Sequence, residues 1–203
     1  GVATFEFQHL LNLIDKNQFD TIYHEHFSYL SLITVKQIFE HNNLEIFDVE
    51  ELNTHGGSLR VYAKKKNSRH KVSKNVQKIL NKEKRKNLNK LSYYKNFQYQ
   101  AEKIKNELLS FLIKAKLKGK KVAAYGAAAK GNTIINFAGI RSDLIKFVID
   151  LNPAKKNKYM PGSRIPIVDK SKLDHEKPDY IIILPWNLAH EISKQLNYVK
   201  KWN

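Results

Sequence analysis

The chain has 203 residues, of which 42% are hydrophobic, so it can bury the core of one or two domains and is not disordered by composition. It has no cysteine, which excludes disulfides and thiolate metal sites within these residues. No apolar run approaches the roughly 18 residues of a membrane span, and no signal peptide is recognisable, so we expect a soluble cytoplasmic protein. The first residue is Gly1 rather than methionine, and we therefore expect further residues upstream.

The net charge of +17 is concentrated in one segment. Residues 64–121 hold 20 Lys or Arg and three acids, whereas the rest of the chain holds 16 of each sign. Nucleic-acid sites commonly use Arg for bidentate contacts, and only five of the 36 basic residues are Arg. The composition favours a solvated lysine-rich surface, with a basic face for an anionic substrate or partner as the alternative. A nucleic-acid-binding protein is the least favoured class, and steeply salt-dependent retention of DNA would support it.

Short apolar runs separated by polar turns make up residues 1–62. Residues 2–7 alternate like a strand, residues 27–39 predict a helix, and residues 44–49 and 58–62 predict two further strands. Gly56 and Gly57 indicate a close approach of the chain between these last two strands. Residues 63–118 are predicted to be mainly helical, because apolar residues from Phe97 to Ala115 recur at three- and four-residue steps and Gly119 suits a helix end.

From Lys121 onward, strands and helices alternate. Strands are predicted over 122–125, 145–149, 165–168 and 180–184, the last buried on both faces, and helices over 130–138 and 188–196. The fold class is therefore α/β, with a Rossmann-like, doubly wound C-terminal domain at 119–203. The segment 126–131 joins the first of these strands to its helix with small residues, and Asp150 ends the next strand. Such a turn can bind a phosphate at the helix N-terminus, but it departs from the dinucleotide and Walker patterns. A tight turn without a ligand remains an equal alternative.

Four polar side chains stand together at Tyr23-His24-Glu25-His26. On an extended backbone the two histidines face one side, and Tyr23 and Glu25 the other. Two imidazoles make a poor metal site, whereas a histidine base with an orienting carboxylate is chemically natural near pH 7. On the residues alone, structural histidines are favoured. A third polar group is Asn53 to Arg60, in which Ser58 offers a hydroxyl and Arg60 can bind a carboxylate or phosphate; an ordinary turn with an exposed arginine is the alternative.

The motifs described above occur along the chain in the same order as in a known protein family. The stretch from Phe19 to Ser31 closely resembles the segment that closes the methyl-transfer domain of the SAM-dependent nucleotide-sugar C-methyltransferases. The stretch from Thr54 to Val61 resembles that family's next signature. Further stretches are similar to its C-terminal domain: Tyr125 to Thr133, Val148 to Asp150 with Asn152-Pro153, Tyr159 to Gly162, Ile165 to Val168, and Pro185 to Asn187 with Glu191-Ile192. Only the lysine-rich middle lies outside the resemblance.

The resemblance implies an enzyme that methylates the carbon next to the ketone of a nucleotide-linked 4-keto-deoxysugar. His26 would be the base that removes the α-proton, with Tyr23 and Glu25 positioning it or the substrate, and S-adenosyl-L-methionine (SAM) would supply the methyl group. The nucleotide-diphosphate sugar would be bound, by the same resemblance, by His55, Gly57, Ser58, Arg60, Tyr125, Gly126, Ala127, Lys130, Gly131, Asn132, Asp150, Trp186 and Asn187. Lys130 would supply a counter-charge to the phosphates, and no metal ligand is expected.

The family also has a cysteine-rich zinc module and a glycine-rich SAM site ahead of the catalytic stretch, and residues 1–22 contain only one glycine, Gly1. We therefore expect three parts: residues 1–62 as the tail of the methyltransferase domain with the catalytic segment, 63–118 as a basic helical segment, and 119–203 as the nucleotide-sugar-binding domain. The expected protein is a C-terminal portion that binds the nucleotide-sugar and lacks the SAM-binding half. The alternative is a catalytically silent nucleotide-sugar-binding module.

Overall fold

The computed structural model describes residues 1–202, which form two compact units. The N-terminal unit contains residues 1–19 and 24–100, and the C-terminal unit contains residues 20–23 and the described chain from Ala101 onward. The stretch Asp20–Tyr23 thus belongs to the C-terminal unit, although the chain on either side of it belongs to the N-terminal one.

The N-terminal unit is built on a three-stranded antiparallel sheet in the order β1-β3-β2. Its strands are β1 (Val2–Gln8), β2 (Leu44–Leu52) and β3 (Ser58–Lys65). Val61 and Ala63 of the central strand are fully buried, as expected where both edges are paired and one face is covered. The three strands predicted in this region are confirmed, each slightly longer than expected.

Three helices belong to this unit: α1 (Leu10–Asp15), α2 (Leu32–His41) and α3 (Lys74–Arg85). Helices α2 and α3 pack on the sheet through one hydrophobic cluster: Leu32, Val35, Ile46, Val49, Leu59, Val61, Val76, Ile79 and Leu80. The predicted start of α2 at Phe27 is wrong. The helix begins after Ser31, whose hydroxyl accepts the Thr34 N–H, and Phe27 is 95% exposed. Ser31 is the N-cap, and a capping residue outweighs apolar spacing in setting a helix start.

Helix α4 (Phe97–Leu117) confirms the long amphipathic helix expected in the basic region. Its buried positions include Leu112 and Ala115, and the helix ends where Gly119 adopts a φ of 67° and the Lys120 N–H bonds to the Ala115 carbonyl at 2.9 Å. The basic region is not helical throughout, because β3 continues to Lys65 and residues 86–96 separate α3 from α4.

The C-terminal unit contains a four-stranded parallel sheet in the order β6-β5-β4-β7. The strands are β4 (Val122–Tyr125), β5 (Val148–Ile149), β6 (Ile167–Val168) and β7 (Tyr180–Ile183), and the helices that follow are α5 (Ala129–Phe137), α6 (Lys170–Glu176) and α7 (Ala189–Gln195). Successive β4 side chains point to opposite faces. Val122 and Ala124 pack with Leu112 of α4 and Ile135 of α5, while Ala123 packs with the cluster that α6 and α7 bury on the other face.

Helices therefore cover both faces of the parallel sheet, and the expected Rossmann-like α/β fold is confirmed. Two predicted strands are shorter than expected, because β5 begins at Val148 and β6 at Ile167. Strand β7 lies at the edge of the sheet. Its side chains pack on both faces, Ile182 on one and Ile181 and Ile183 on the other, but they are only partly buried. Across the described residues, no helix is both long enough and apolar enough to cross a membrane.

Candidate functional site

A cavity of about 410 Å³ lies in the N-terminal unit, beside the ends of β1 and β3. Its polar lining comes from three parts of the sequence: Glu6 and Gln8 of β1, Glu25 to Tyr29 of the predicted catalytic stretch, and His55 with Ser58 before and at the start of β3. The structure thus brings Glu25 and His26 together with His55 and Ser58, four of the residues expected to act in catalysis or substrate binding.

The stretch that contains His26 turns rather than extends. Residues 23–25 form a bend and a turn, and no strand ladder in the described chain includes them, so the expected alternation of side chains along an extended backbone is wrong. The His26 ring meets the Tyr29 ring edge to face with centroids 6.3 Å apart. Tyr23 belongs with Asp20–Tyr23 to the C-terminal unit.

The loop before β3 bends sharply at three consecutive positions with positive φ, His55 (53°), Gly56 (89°) and Gly57 (130°). A Cβ at Gly57 would lie 2.4 Å from Asn12 Nδ2, so Gly57 does allow a close approach, but to α1 rather than between the two strands as predicted. The Ser58 hydroxyl, 1% exposed, donates to the Thr54 carbonyl at 3.1 Å. This bond ties β3 to the loop that carries His55.

Arg60 lies on the surface of the sheet and pairs with acids on both neighbouring strands. Its Nη2 donates to Glu6 Oε2 at 2.9 Å, and its Nη1 lies 3.5 Å from Glu50 Oε2. The bond from Arg60, helped by a 3.0 Å bond from the Thr54 hydroxyl, lowers the pKa of Glu6, and Glu6 in turn raises the pKa of Arg60. Sequence reasoning missed Glu6 as a residue of the cavity, because its place follows only from the β1–β3 register that sets it opposite Arg60.

The glycines of the turn after β4 are required by packing. Gly126 has a φ of 90°, and a Cβ there would lie 2.5 Å from Pro185 Cδ. A Cβ at Gly131 would lie 2.6 Å from Leu184 Cβ. Both glycines therefore allow the turn to pack against the chain that leaves β7. Tyr125, just before the turn, is 6% exposed among core residues, and burial raises its pKa.

Asp150 is held against this same turn. Its Oδ2 accepts the Ala127 N–H at 2.8 Å and the Lys155 ammonium at 3.2 Å, while Oδ1 accepts the Asn152 N–H at 2.9 Å. Lys155 also donates to the Ala127 carbonyl at 2.8 Å. Lys155 places a positive charge at the turn and was missed from the sequence, where the only signal is its position just after the Asn152-Pro153 turn.

Lys130 and the segment after β7 meet in a second polar cluster. The Lys130 ammonium donates to Asn187 Oδ1 at 2.9 Å and lies 4.4 Å from the centre of the Trp186 ring. The Trp186 indole N–H donates to Asp20 Oδ2 at 2.6 Å. In the first turn of α5, Asn132 Oδ1 is buried and no hydrogen bond to it is found among the described residues.

Within residues 1–202, no three His, Cys, Asp or Glu side chains come together as a metal site would require.

Comparison with known proteins identifies the family. Residues 53–203 match the family model described as the C-methyltransferase C-terminal domain. Over 192 residues the chain is 35% identical to the C-methyltransferase NovU of Streptomyces niveus, an alignment that covers 95% of this chain and 46% of NovU. The chain thus spans about half the length of this curated relative. Because the family model matches well over half of the chain, the protein belongs to the C-methyltransferase family and carries its C-terminal domain.

Proposed function

We propose that this chain is the C-terminal portion of a SAM-dependent C-methyltransferase that methylates the carbon next to the ketone of a nucleotide-linked 4-keto-deoxysugar. Family membership supports the reaction class, and the observation that carries the proposal is the cavity lined by Glu25, His26, His55 and Ser58. Glu25 and His26 are two neighbouring acid–base groups in a concave site, and such a pair suits proton abstraction.

His26 is the proposed base. A ketone acidifies the neighbouring C–H, and a neutral imidazole is a common general base for such a proton. The bonding electrons of the C–H then move onto the ketone oxygen, so an enolate forms and the proton resides on His26. Glu25, which lines the same cavity, is proposed to orient the ring and stabilise the imidazolium. The proposed role of Tyr23 in positioning the substrate rests on the family resemblance alone, because Tyr23 is not among the residues that line this cavity.

The enolate oxygen needs hydrogen-bond donors where its charge develops. His55 and Tyr29 line the cavity and carry donor groups. A carboxylate on the same wall would oppose that charge. Glu6 is such a carboxylate, and its ion pair with Arg60 offsets part of its charge. We therefore assign Arg60 to charge balance at the cavity.

The nucleotide diphosphate is proposed to bind at the turn from Gly126 to Asn132. The N-cap of α5, Ala128, offers no side-chain acceptor, so the first-turn N–H groups suit an anion. Lys130 and Lys155 bring two positive charges to the same turn. Asp150 serves in this arrangement to hold the turn rather than to bind a ribose hydroxyl, because it already accepts three hydrogen bonds.

SAM supplies an electrophilic methyl group when it is bound. Among the described residues, the arrangement most similar to a cofactor loop is the turn after β4. We infer that it is a poor match for SAM, because three of the roughly four acceptor positions of Asp150, the acid that would meet the ribose, are already used. We propose that the donor binds in the part of the enzyme that corresponds to the unmatched portion of NovU.

The decisive experiment changes His26→Ala in the complete enzyme. Two rates are followed: solvent deuterium entering the carbon next to the ketone, and methyl transfer to it. Both should fall by about 10²- to 10⁴-fold, the usual worth of a general base. His175→Ala is the matched control, because His175 is exposed on α6 and should leave both rates unchanged. Unchanged rates in the His26 variant would support the silent binding module instead. Tight calorimetric binding of SAM to the 203-residue chain alone would refute the proposed location of the donor site.

A further inference from the structure

A buried carboxylate lies shortly before Tyr23. Asp20 is 6% exposed within the short 3₁₀ turn Phe19–Thr21, and the neighbouring Thr21 is fully buried. Burying a carboxylate is costly unless it is paired and hydrogen-bonded. The mechanism proposed above gives Asp20 no part, so its burial needs another explanation.

The partners of Asp20 come from the segment after β7 and from the first turn of α5. Its Oδ2 accepts the indole N–H of Trp186 at 2.6 Å, a short distance typical of a bond to a charged acceptor. The Lys130 ammonium lies over the same indole ring, 4.4 Å from its centre, and is held there by Asn187 at 2.9 Å. We call these four residues the Asp20 cluster. All of them belong to the C-terminal unit.

The two charges of the Asp20 cluster depend on each other. Burial raises the pKa of Asp20, and the Trp186 bond and the Lys130 charge oppose that rise. Burial likewise lowers the pKa of Lys130, and the charge of Asp20 opposes it. Each charge thus stabilises the other in its buried position, in addition to the Trp186 bond to Asp20 and the Asn187 bond to Lys130. The cluster therefore holds the Asp20 turn in one place relative to the turn that carries Trp186.

The fixed position of the Asp20 turn affects the catalytic stretch through the backbone that joins them. Only Thr21 and Ile22 separate Asp20 from Tyr23. Thr21 is fully buried and Ile22 is 45% exposed, so a fixed Asp20 turn limits how far Tyr23 can move. We propose that Asp20, held by the indole N–H of Trp186, is a positioning residue for Tyr23; this inference rests on the proposed function. Asp20 touches neither substrate nor cofactor in this role. Its effect on rate arises because misplacement of a reacting group by about 1 Å can cost about 100-fold.

The contact itself can be tested on the 203-residue chain, without any assumption about activity. The chain has two tryptophans, Trp186 and Trp202, and ¹⁵N-labelled protein should show two indole N–H resonances. Asp20→Ala should move the Trp186 resonance and speed its exchange with water while leaving Trp202 in place. Asp143→Ala is the matched control, since Asp143 is an exposed acid of the same unit, paired with Lys116. A Trp186 resonance that does not respond in the folded Asp20 variant would overturn the inference.

The functional consequence is measured in the complete enzyme. Asp20→Ala removes the acceptor of the indole N–H, and turnover should fall by about 10- to 100-fold. Turnover is compared at saturating substrate, so that weaker diphosphate binding through the neighbouring Lys130 does not count toward the loss. Trp186→Phe keeps the ring beneath Lys130 and removes the N–H. If both changes break one contact, the double variant should lose little more turnover than either single variant.

Two results distinguish a failure of the proposed function from a failure of the positioning role of Asp20. A wild-type enzyme that transfers no methyl group contradicts the proposed function and leaves the resonance test of the contact intact. An active wild type with Asp20→Ala at more than half its turnover refutes the positioning role, as would a variant with a lowered melting temperature and unchanged turnover well below that temperature. Should Asp20→Ala fail to fold, Trp186→Phe decides the question by the same turnover criterion.

Discussion

Glu83 is the acid whose removal should destabilise the N-terminal unit most. It is fully buried on α3, and its carboxylate accepts three hydrogen bonds: from His9 Nε2 and the Leu32 N–H at 2.7 Å, and from the Ile33 N–H at 2.8 Å. Two of these donors are first-turn N–H groups of α2, so Glu83 acts as a cap from another helix. His9 Nδ1 finds no partner among the described residues, which fits a ring that carries its proton on Nε2.

The expected loss in the free energy of unfolding follows from those three bonds. Glu83→Ala leaves two buried donors and one partly buried donor without an acceptor. Each unsatisfied donor typically costs about 1–3 kcal/mol, so we expect the free energy of unfolding to fall by at least about 3 kcal/mol. Glu83→Gln keeps one acceptor oxygen but turns an amide N–H toward one of the donors, so we expect a loss of about 1–3 kcal/mol. Gln77→Ala, an exposed change on the same helix, should stay within about 0.5 kcal/mol.

Urea denaturation followed by circular dichroism measures the free energy, and amide exchange resolves where it is lost. The Leu32 and Ile33 amides should exchange much faster in Glu83→Ala, whereas amides of β4 in the other compact unit should not change. Equal free energies of unfolding for Glu83→Ala and Gln77→Ala would refute the assignment of Glu83 as a buried cap. Faster exchange spread evenly over both units would refute its local action.

Three further predictions concern the C-terminal unit. Gly126→Ala should lower the free energy of unfolding by about 1–3 kcal/mol, because positive φ strain adds to a collision with the proline ring after β7. Gly119→Ala, which meets no atom within 4 Å, should cost only the strain, and equal losses would show that the collision is relieved. Burial, together with a 2.7 Å bond to Asp174, raises the pKa of Tyr198 to about 12. The folded state then holds this proton more tightly than the unfolded chain does. The resulting stabilisation of the folded state is complete below pH 10 and is lost between pH 10 and 12. An ultraviolet titration that ionises every tyrosine near pH 10 would contradict this. Lys155→Ala should weaken nucleoside diphosphate binding about fivefold in calorimetry, equivalent to about 1 kcal/mol, and an unchanged Kd would remove Lys155 from the proposed site.

Local signals in the sequence were sufficient for most of the secondary structure. Apolar alternation identified β1, the three-to-four-residue spacing identified α4, and Gly119 identified its end. The α2 start at Leu32 was missed because its N–H groups are capped both by the adjacent Ser31 and by Glu83, a residue 50 positions away whose role no local pattern reveals. The incomplete burial of β7 was not predicted, because an apolar run looks the same at the centre and at the edge of a parallel sheet.

The candidate site likewise combines features that the sequence predicted with contacts that it did not. Its residue types and their order along the chain were enough to suggest the C-methyltransferase family, and the family comparison confirmed it. The partners of those residues were not predictable: Glu6 joins the cavity through strand register, Lys155 reaches the turn after β4, and Asp20 meets Trp186, 166 positions away in the sequence. A sequence by itself determines which chemical groups are present and which segments can be helix or strand, because those properties depend on neighbouring residues. Only the tertiary structure decides which charges meet and which are buried, because those contacts arise between segments far apart in the chain.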